Sequence, residues 1–419
     1  MPISATFQRA LYPQLDTITS HFGTPFHIYD EAGIRQTCRR LTKAFAGIEE
    51  FKEYFAVKAL PNPSILQIMQ EEGFGFDCSS VTELVMSRQL GARGQDIMYT
   101  SNNTSSREFL LAQEQGGCIL NLDDIALLDK VPQLPRQICF RYNPGNSRSG
   151  NEIIGTPEEA KYGVSRDQIV DAYRRAKKGG VERFGIHTML ASNELNYTYM
   201  VQTSHMLLDL AEEIEETLGL RFDFINIGGG LGIPYRPEDA PFDLERMAAE
   251  ITSQFLAYRQ RRGYMPALYM ESGRYMTGPH GVLVTRAINR KEIYRTYIGV
   301  DACMTALMRP AMYGAYHHID VLGKESGAPE EVVDVVGSLC ENNDKFAIQR
   351  QLPVIEDGDL VIIQDTGAHG HAMGFNYNGK LRPQELILLE NGSVEMIRRA
   401  ETEDDYFRTL QFDRNVLEL

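Results

Sequence analysis

The 419 residues exceed what one ordinary hydrophobic core organises, so two large units are expected, one of them a barrel of about 250 residues. A hydrophobic share of 43% is that of a globular protein, and 42 basic against 57 acidic residues leave a formal charge of -15, which argues against a nucleic-acid-binding surface. No apolar run approaches the ~20 residues that span a bilayer, and MPISATFQRALYPQL lacks a basic segment followed by an apolar one. A cytoplasmic protein acting on a small molecule, with neither membrane nor nucleic acid as partner, is therefore expected. Six cysteines (Cys38, Cys78, Cys118, Cys139, Cys303, Cys340) without CxxC spacing suggest neither a disulfide framework nor a zinc site, and most are expected in the core.

In chain order, PFHIYD (25–30) reads as a short strand. From Tyr54 onward, apolar runs alternate with helical patterns. YFAVK (54–58), GFDC (75–78), IMYT (97–100), CILN (118–121), ICFRY (138–142), FGIHTML (184–190), FINIG (224–228) and LYME (268–271) are eight candidate strands. Between them, Asn62 can cap a helix that opens on Pro63 and carries Ile65, Leu66, Ile68 and Met69 at helical spacing. Ser80 with Glu83, Ser105 with Glu108 and Ser165 with Gln168 each fit a capping box. Eight repeats of strand and helix predict parallel strands with right-handed crossovers, and eight strands close a barrel; an open doubly wound sheet is the alternative. Beyond residue 280, GVLVTRAI, TYIGVD, VVDVVGSLC and DLVIIQD are β-rich and broken by Gly, Asn, Asp and Pro. The expected fold is α/β: a (β/α)8 TIM-like barrel over residues 31–280 plus a C-terminal mainly β domain over 281–419, to which residues 1–30 add a strand.

In such a barrel, function concentrates at the C-terminal ends of the strands. Lys58 would stand at the end of the first, inside an apolar run. A desolvated lysine is a good nucleophile for a carbonyl and points to an aldehyde cofactor; a snorkelling or salt-bridged lysine is the plainer reading. His187 follows near the end of the sixth strand and GGGLG (228–232) after the seventh. That turn lacks the glycine a dinucleotide fingerprint requires, since Ile233 stands there, yet it permits close backbone approach to an anion; an ordinary strand-to-helix turn is the alternative. ESGR (271–274) ends the eighth strand. Glu271 there could hold a protonated ring nitrogen and Arg274 a phosphate or carboxylate, or the two could be a surface ion pair. In the β domain, RPAMYGAYHH (309–318) offers Arg309 and Tyr313 to a carboxylate, SLCEN (338–342) places Cys340 beside Glu341 as a proton donor next to an acid, and GFNYN (374–378) presents Tyr377. His369 and His371 would share a face on a strand, but no third ligand follows, so no metal is expected; His317 and His318 would face opposite ways.

These clusters, in this order, resemble the fold-type III decarboxylases that use pyridoxal 5'-phosphate, specifically the diaminopimelate decarboxylase family of lysine biosynthesis. YFAVKAL is similar to that family's YAVKAN, FINIGGGLGIPY to its phosphate loop and ESGR to its EPGR. VDACMTALMRPAMYGAYHH, GSLCENNDKF and DTGAHGHAMGFNYNGKLRPQE are similar to its substrate and dimer-contact motifs. The resemblance implies a homodimer with a shared active site. It implies cofactor binding by Lys58, Asp77, His187, Ser192, Gly228, Gly229, Gly230, Glu271, Arg274 and Tyr377, and substrate binding by Arg274, Arg309, Tyr313, Glu341 and Tyr377. Lys58 and Cys340 would be catalytic, with Cys340 and Glu341 reaching across from the partner subunit. The implied reaction is decarboxylation of meso-2,6-diaminopimelate to L-lysine and carbon dioxide.

Four positions depart from the family pattern. Met189 replaces a histidine expected to stack on the cofactor ring, and its thioether is expected to pack there instead. Ala191 replaces a glycine, Ser272 the proline of EPGR, and His369 a common tyrosine. The rival substrates are ornithine, arginine and carboxynorspermidine. A racemase on the same barrel would need a second base opposite the lysine, which no motif marks, and a silent binding protein would have no use for Lys58, Glu271, Arg274 and Cys340 together.

Overall fold

The computed structural model describes residues 3–149, 155–324 and 328–413. The chain divides into two units, Ala32–Pro234 with Glu238–Gly278, and Met1–Glu31 with Tyr235–Pro237 and Pro279–Leu419. The first strand, β1 (Phe26–Asp30), belongs to the second of these. Eight more follow: β2 (Phe51–Ala56), β3 (Gly75–Cys78), β4 (Gly94–Tyr99), β5 (Cys118–Leu122), β6 (Gln137–Arg141), β7 (Arg183–His187), β8 (Phe222–Asn226) and β9 (Ala267–Met270). They pair in parallel with their sequence neighbours, and β9 closes on β2, so the barrel and not the open sheet is formed.

The barrel interior holds Tyr54, Met98, Ile119, Cys139, Phe224, Ala267 and Tyr269. Phe224 lies flat on Tyr269 with ring centroids 4.4 Å apart, and a Cβ on Gly185 of β7 would run into the Phe224 ring, so that strand must carry a glycine for the aromatic pair to fit. Each such ring withdrawn from water stabilises the barrel by about 1.5–3 kcal/mol.

The helix starts follow the expected caps in part. The Asn62 side chain accepts from the Ser64 amide at 3.0 Å ahead of Pro63–Glu71, and Ser105 with Glu108 closes a full capping box. Ser80 takes the Glu83 amide, but the Glu83 carboxylate goes to Ser79 and not Ser80. Ser165 and Gln168 form no box: the Ser165 carbonyl already accepts both the Gln168 and Ile169 amides, so the residues between make a turn and the helix starts at Ile169.

In the second unit β1 pairs antiparallel with β10 (Gly281–Glu292), and PFHIYD does supply a strand there. The sheet continues with β11 (Thr296–Val300), β12 (Ile319–Val321), β13 (Glu330–Val336), β14 (Lys345–Pro353), β15 (Leu360–Ile363), β16 (Gln384–Leu388) and β17 (Val394–Arg398). Period-two alternation divides its core. Val282, Val284, Leu360 and Ile362 face Phe7, Leu11 and Leu15, whereas Leu283, Val361 and Ile363 face Val300, Val335 and Phe346. His369 and His371 do not share a strand face: His369 takes a left-handed backbone (φ 55°) and His371 opens a short 3-10 turn. Among the described residues no helix is long and apolar enough to cross a membrane.

Candidate active site

The C-terminal ends of the barrel strands carry one connected set of polar side chains. Lys58 is not in a strand, as the apolar run suggested, and is not buried. β2 ends at Ala56, and Val57–Ala59 form a 3-10 turn in which Val57 and Ala59 fill the core while Lys58 is exposed. Keeping an ammonium group in water avoids a desolvation cost of several kcal/mol, so the turn delivers the amine to the mouth without burying it. Its positive charge acts on both Asp77 and Glu271.

Glu271 follows β9 and is fully enclosed, so Glu271 and Arg274 are not a surface ion pair. Its Oε1 accepts from Asn226 Nδ2 at 2.8 Å and its Oε2 meets His187 Nε2 at 3.1 Å. Burial alone would raise its pKa; the charge and hydrogen bond of His187, Lys58 and the Asn226 amide outweigh that and hold the carboxyl below its usual range. Asp77 behaves in the opposite way. Burial first, then the Glu271 charge, push it well above the carboxylate range despite Lys58. Two carboxyls in one mouth are thereby pushed in opposite directions, Glu271 toward its ionised form and Asp77 toward its protonated one. Asp77 Oδ1 and His187 Nδ1 are buried with no hydrogen-bond partner among the described residues.

The Gly228, Gly229 and Gly230 turn follows β8. Added Cβ atoms would strike the carbonyl oxygens of Thr188, Glu271 and Ala191 respectively, and Gly228 and Gly230 have φ of 74° and 92°. The glycines are thus demanded first by the packing of this turn between the segments after β7 and β9. The Gly229 amide donates to Met189 Sδ at 3.2 Å, and Arg274 Nη2 donates to Ser192 Oγ at 3.5 Å. The residues fit a group with an aldehyde, a basic ring nitrogen and a phosphate: an amine at the mouth, a buried carboxylate kept ionised, unpartnered buried atoms beside it, and an arginine near the glycine turn.

In the β unit, Arg309 and Tyr313 begin and end one short helix, Arg309–Tyr313. Arg309 is buried, with its guanidinium 5.1 Å from the Tyr235 ring centroid and its Nε donating to His317 Nε2 at 3.3 Å. His317 Nδ1 lies 2.8 Å from the Gln364 carbonyl, which only accepts; that fixes the proton on Nδ1 and leaves Nε2 as the acceptor for Arg309. His317 is fully buried and His318 lies half-exposed beside Asp320. Cys340, Glu341, Tyr313 and Tyr377 are exposed. The Cys340 amide donates to Asn378 Oδ1 at 2.7 Å, so the Cys340 segment and the Tyr377 turn are joined.

Three residues that matter here escaped the sequence reading, Asn226, Glu53 and Asn378, and His317 was weighed there only as a metal ligand. Glu53, on β2, is fully buried, held well above the carboxylate range by burial first, and accepts the Ser272 amide. Asn226 carried one available signal, a polar residue two positions before Gly228 in an otherwise apolar strand.

Comparison with known proteins agrees with this geometry. Residues 31–278 match the family described as pyridoxal-dependent decarboxylase, pyridoxal binding domain. The chain is 48% identical over 413 residues to Protein TabA of Pseudomonas amygdali pv. tabaci, covering 98% of this chain and 97% of that one. It is 37% identical over 397 residues to a diaminopimelate decarboxylase of Methanothermobacter thermautotrophicus, covering 93% and 92%. Among solved structures, the diaminopimelate decarboxylase of M. jannaschii in complex with L-lysine superposes with a TM-score of 0.88 at 28% identity, covering 95% of this chain and 94% of that one. With an eight-stranded barrel, a β-rich second unit and a family match over more than half its length, this chain belongs to the fold-type III pyridoxal-dependent decarboxylases.

Proposed function

We propose that the protein decarboxylates meso-2,6-diaminopimelate to L-lysine and carbon dioxide, the last step of lysine biosynthesis. The observation that carries the chemistry is the enclosed Glu271 carboxylate, kept ionised by His187 and Asn226 beside the exposed Lys58 amine. Pyridoxal 5'-phosphate, when bound, supplies an aldehyde for an amine and a ring that accepts the electron pair left by departing carbon dioxide. Lys58 Nζ is the amine that would hold it. Glu271 would keep a proton on the ring nitrogen, with Asp77 and His187 beside it. Arg274, Ser192, the Gly228 to Gly230 turn and Tyr377 would hold its phosphate end. Met189, in place of the stacking histidine, would offer its thioether to the ring face.

The substrate has an amino acid at each end, so the end that does not react needs a grip. Arg309, Arg274 and Glu341 would supply opposite charges for it and Tyr313 a hydrogen bond. Cys340 returns a proton to the carbon that lost carbon dioxide. We infer a homodimer in which Cys340 and Glu341 of one copy complete the site of the other. Support for the substrate comes from relatives named for this reaction; the name of the relative at 48% identity states no reaction. The test is incubation of purified protein and pyridoxal phosphate with meso-diaminopimelate, ornithine, arginine and carboxynorspermidine in parallel. Lysine and carbon dioxide in equal amounts from the first are expected, and turnover of another substrate with none of the first would overturn the assignment.

A further inference from the structure

Three segments of the β unit that the sequence singled out separately, around Met304, Cys340 and Tyr377, are tied to one another by a small set of hydrogen bonds. Cys340 and Glu341 are exposed on a loop that follows β13, beside a cavity of about 650 Å³ lined in part by Ile288, Tyr297, Val336 and Leu339. An exposed loop has little packing of its own, so the position of its thiol depends on what holds its backbone.

Two side chains do so. Asp344 closes the loop from within: its Oδ2 accepts the Leu339 amide at 2.9 Å and its Oδ1 accepts the Met304 amide at 2.6 Å, while its own amide donates to the Glu341 carbonyl at 3.1 Å. Asp344 is buried, and a Cβ on Gly337 would strike its carboxylate. Asn378 holds the loop from outside, accepting the Cys340 amide at 2.7 Å from a left-handed backbone (φ 55°) that asparagine tolerates better than most residues. Asn378 is the neighbour of Tyr377 in the chain. A further bond closes the ring of segments: Phe375, just before the same turn, donates its amide to the Thr305 carbonyl, next to Met304.

We propose that Asn378 is a positioning residue that sets where the Cys340 thiol stands, by locking the Cys340 loop to the Tyr377 turn so that both are carried as one body. The inference rests on the reading of Cys340 as proton donor for its catalytic consequence, but not for its structural one. Losing this bond frees the amide of the residue that bears the thiol, and misplacement of a reacting group by about 1 Å costs up to about a hundredfold in rate.

The test compares three replacements in the full-length holoenzyme. Asn378→Ala removes the acceptor and disfavours the backbone; Asn378→Gly removes only the acceptor and keeps the left-handed turn, so it folds where the alanine variant fails; Asn378→Asp keeps both. Two readouts are taken: steady-state kinetics, and the alkylation rate of Cys340 by iodoacetamide, followed by peptide mapping at the high-pH plateau, where the added charge of aspartate no longer sets the thiolate fraction. The glycine and alanine variants are expected to lose roughly tenfold in kcat with cofactor absorbance unchanged. Their Cys340 alkylation rate is expected to shift by roughly threefold or more, and the aspartate variant to return both readouts toward wild type. A glycine variant that matches wild type in both readouts overturns the proposal, because the backbone conformation and not the bond would then matter. Unchanged alkylation in the glycine and alanine variants overturns it as well. If alkylation shifts while kcat stays constant in these variants and in Cys340→Ala, the positioning stands and the assignment of Cys340 as proton donor falls.

Discussion

The barrel mouth and the Cys340 loop organise reactive groups in opposite ways. In the mouth, Glu271, Asp77 and His187 are enclosed at different strand ends, and desolvation and neighbouring charges shift the two carboxyls in opposite directions. In the loop, Cys340 and Glu341 are exposed, and the bonds that hold the loop run from backbone amides to Asp344 and Asn378. The first region fixes charge and the second fixes place. Substitutions in the mouth should therefore disturb cofactor binding and electronics, whereas substitutions in the loop should leave the cofactor in place and disturb the proposed roles of Cys340 and Glu341.

The largest expected effect breaks the mouth outright. Lys58→Ala removes the amine that would anchor the cofactor, and activity should fall on the order of a thousandfold or more, with loss of the absorbance band that protein and added pyridoxal phosphate otherwise develop. A surviving band would assign the anchor to another lysine. Cys340→Ala should behave differently: turnover falls about a hundredfold, within the range for a general acid, while that band stays intact. Unchanged kinetics would remove Cys340 from the mechanism. Mixing the two inactive variants sharpens the contrast further. If one copy supplies the anchor and the other the thiol, random re-pairing of subunits should restore about a quarter of wild-type activity. No recovery after verified subunit exchange would place both groups in the same copy. The smallest effect at neutral pH lies outside both regions. Burial pulls His27 down to about 3, with the His371 charge next, and burial pulls His280 down to about 4, both from a usual value of 6.5. Both are neutral in the folded chain, so their contribution is intact above about 6.5 and is lost as pH falls toward 4, where the unfolded chain takes up protons first. Denaturant melts across that window should show stability falling by roughly 1.4 kcal/mol per pH unit for each histidine.

The same contrast governs what could be read from residues alone. The barrel strands were legible because each is a short apolar run bounded by turn residues, and β1 was legible within PFHIYD. The end of β2 was not. Ala56, Val57, Ala59 and Leu60 continue the apolar run through a 3-10 turn, so hydrophobicity could not show that the strand had stopped or that Lys58 faces out. The candidate site residues were legible as motifs. Their supports were not, because those bonds join positions 45 apart for Asn226 and Glu271, 38 apart for Cys340 and Asn378, and 219 apart for Glu53 and Ser272.

That last pair has a consequence for how this chain can change. Ser272 stands where the related motif carries proline, and it is the Ser272 amide, which a proline would not possess, that occupies Glu53 Oε1. Restoring the proline by itself would strand an acid inside the barrel; replacing Glu53 by leucine alone would leave an amide unanswered. The two sites are therefore a lock with two keys, viable when turned together and costly when either is turned first.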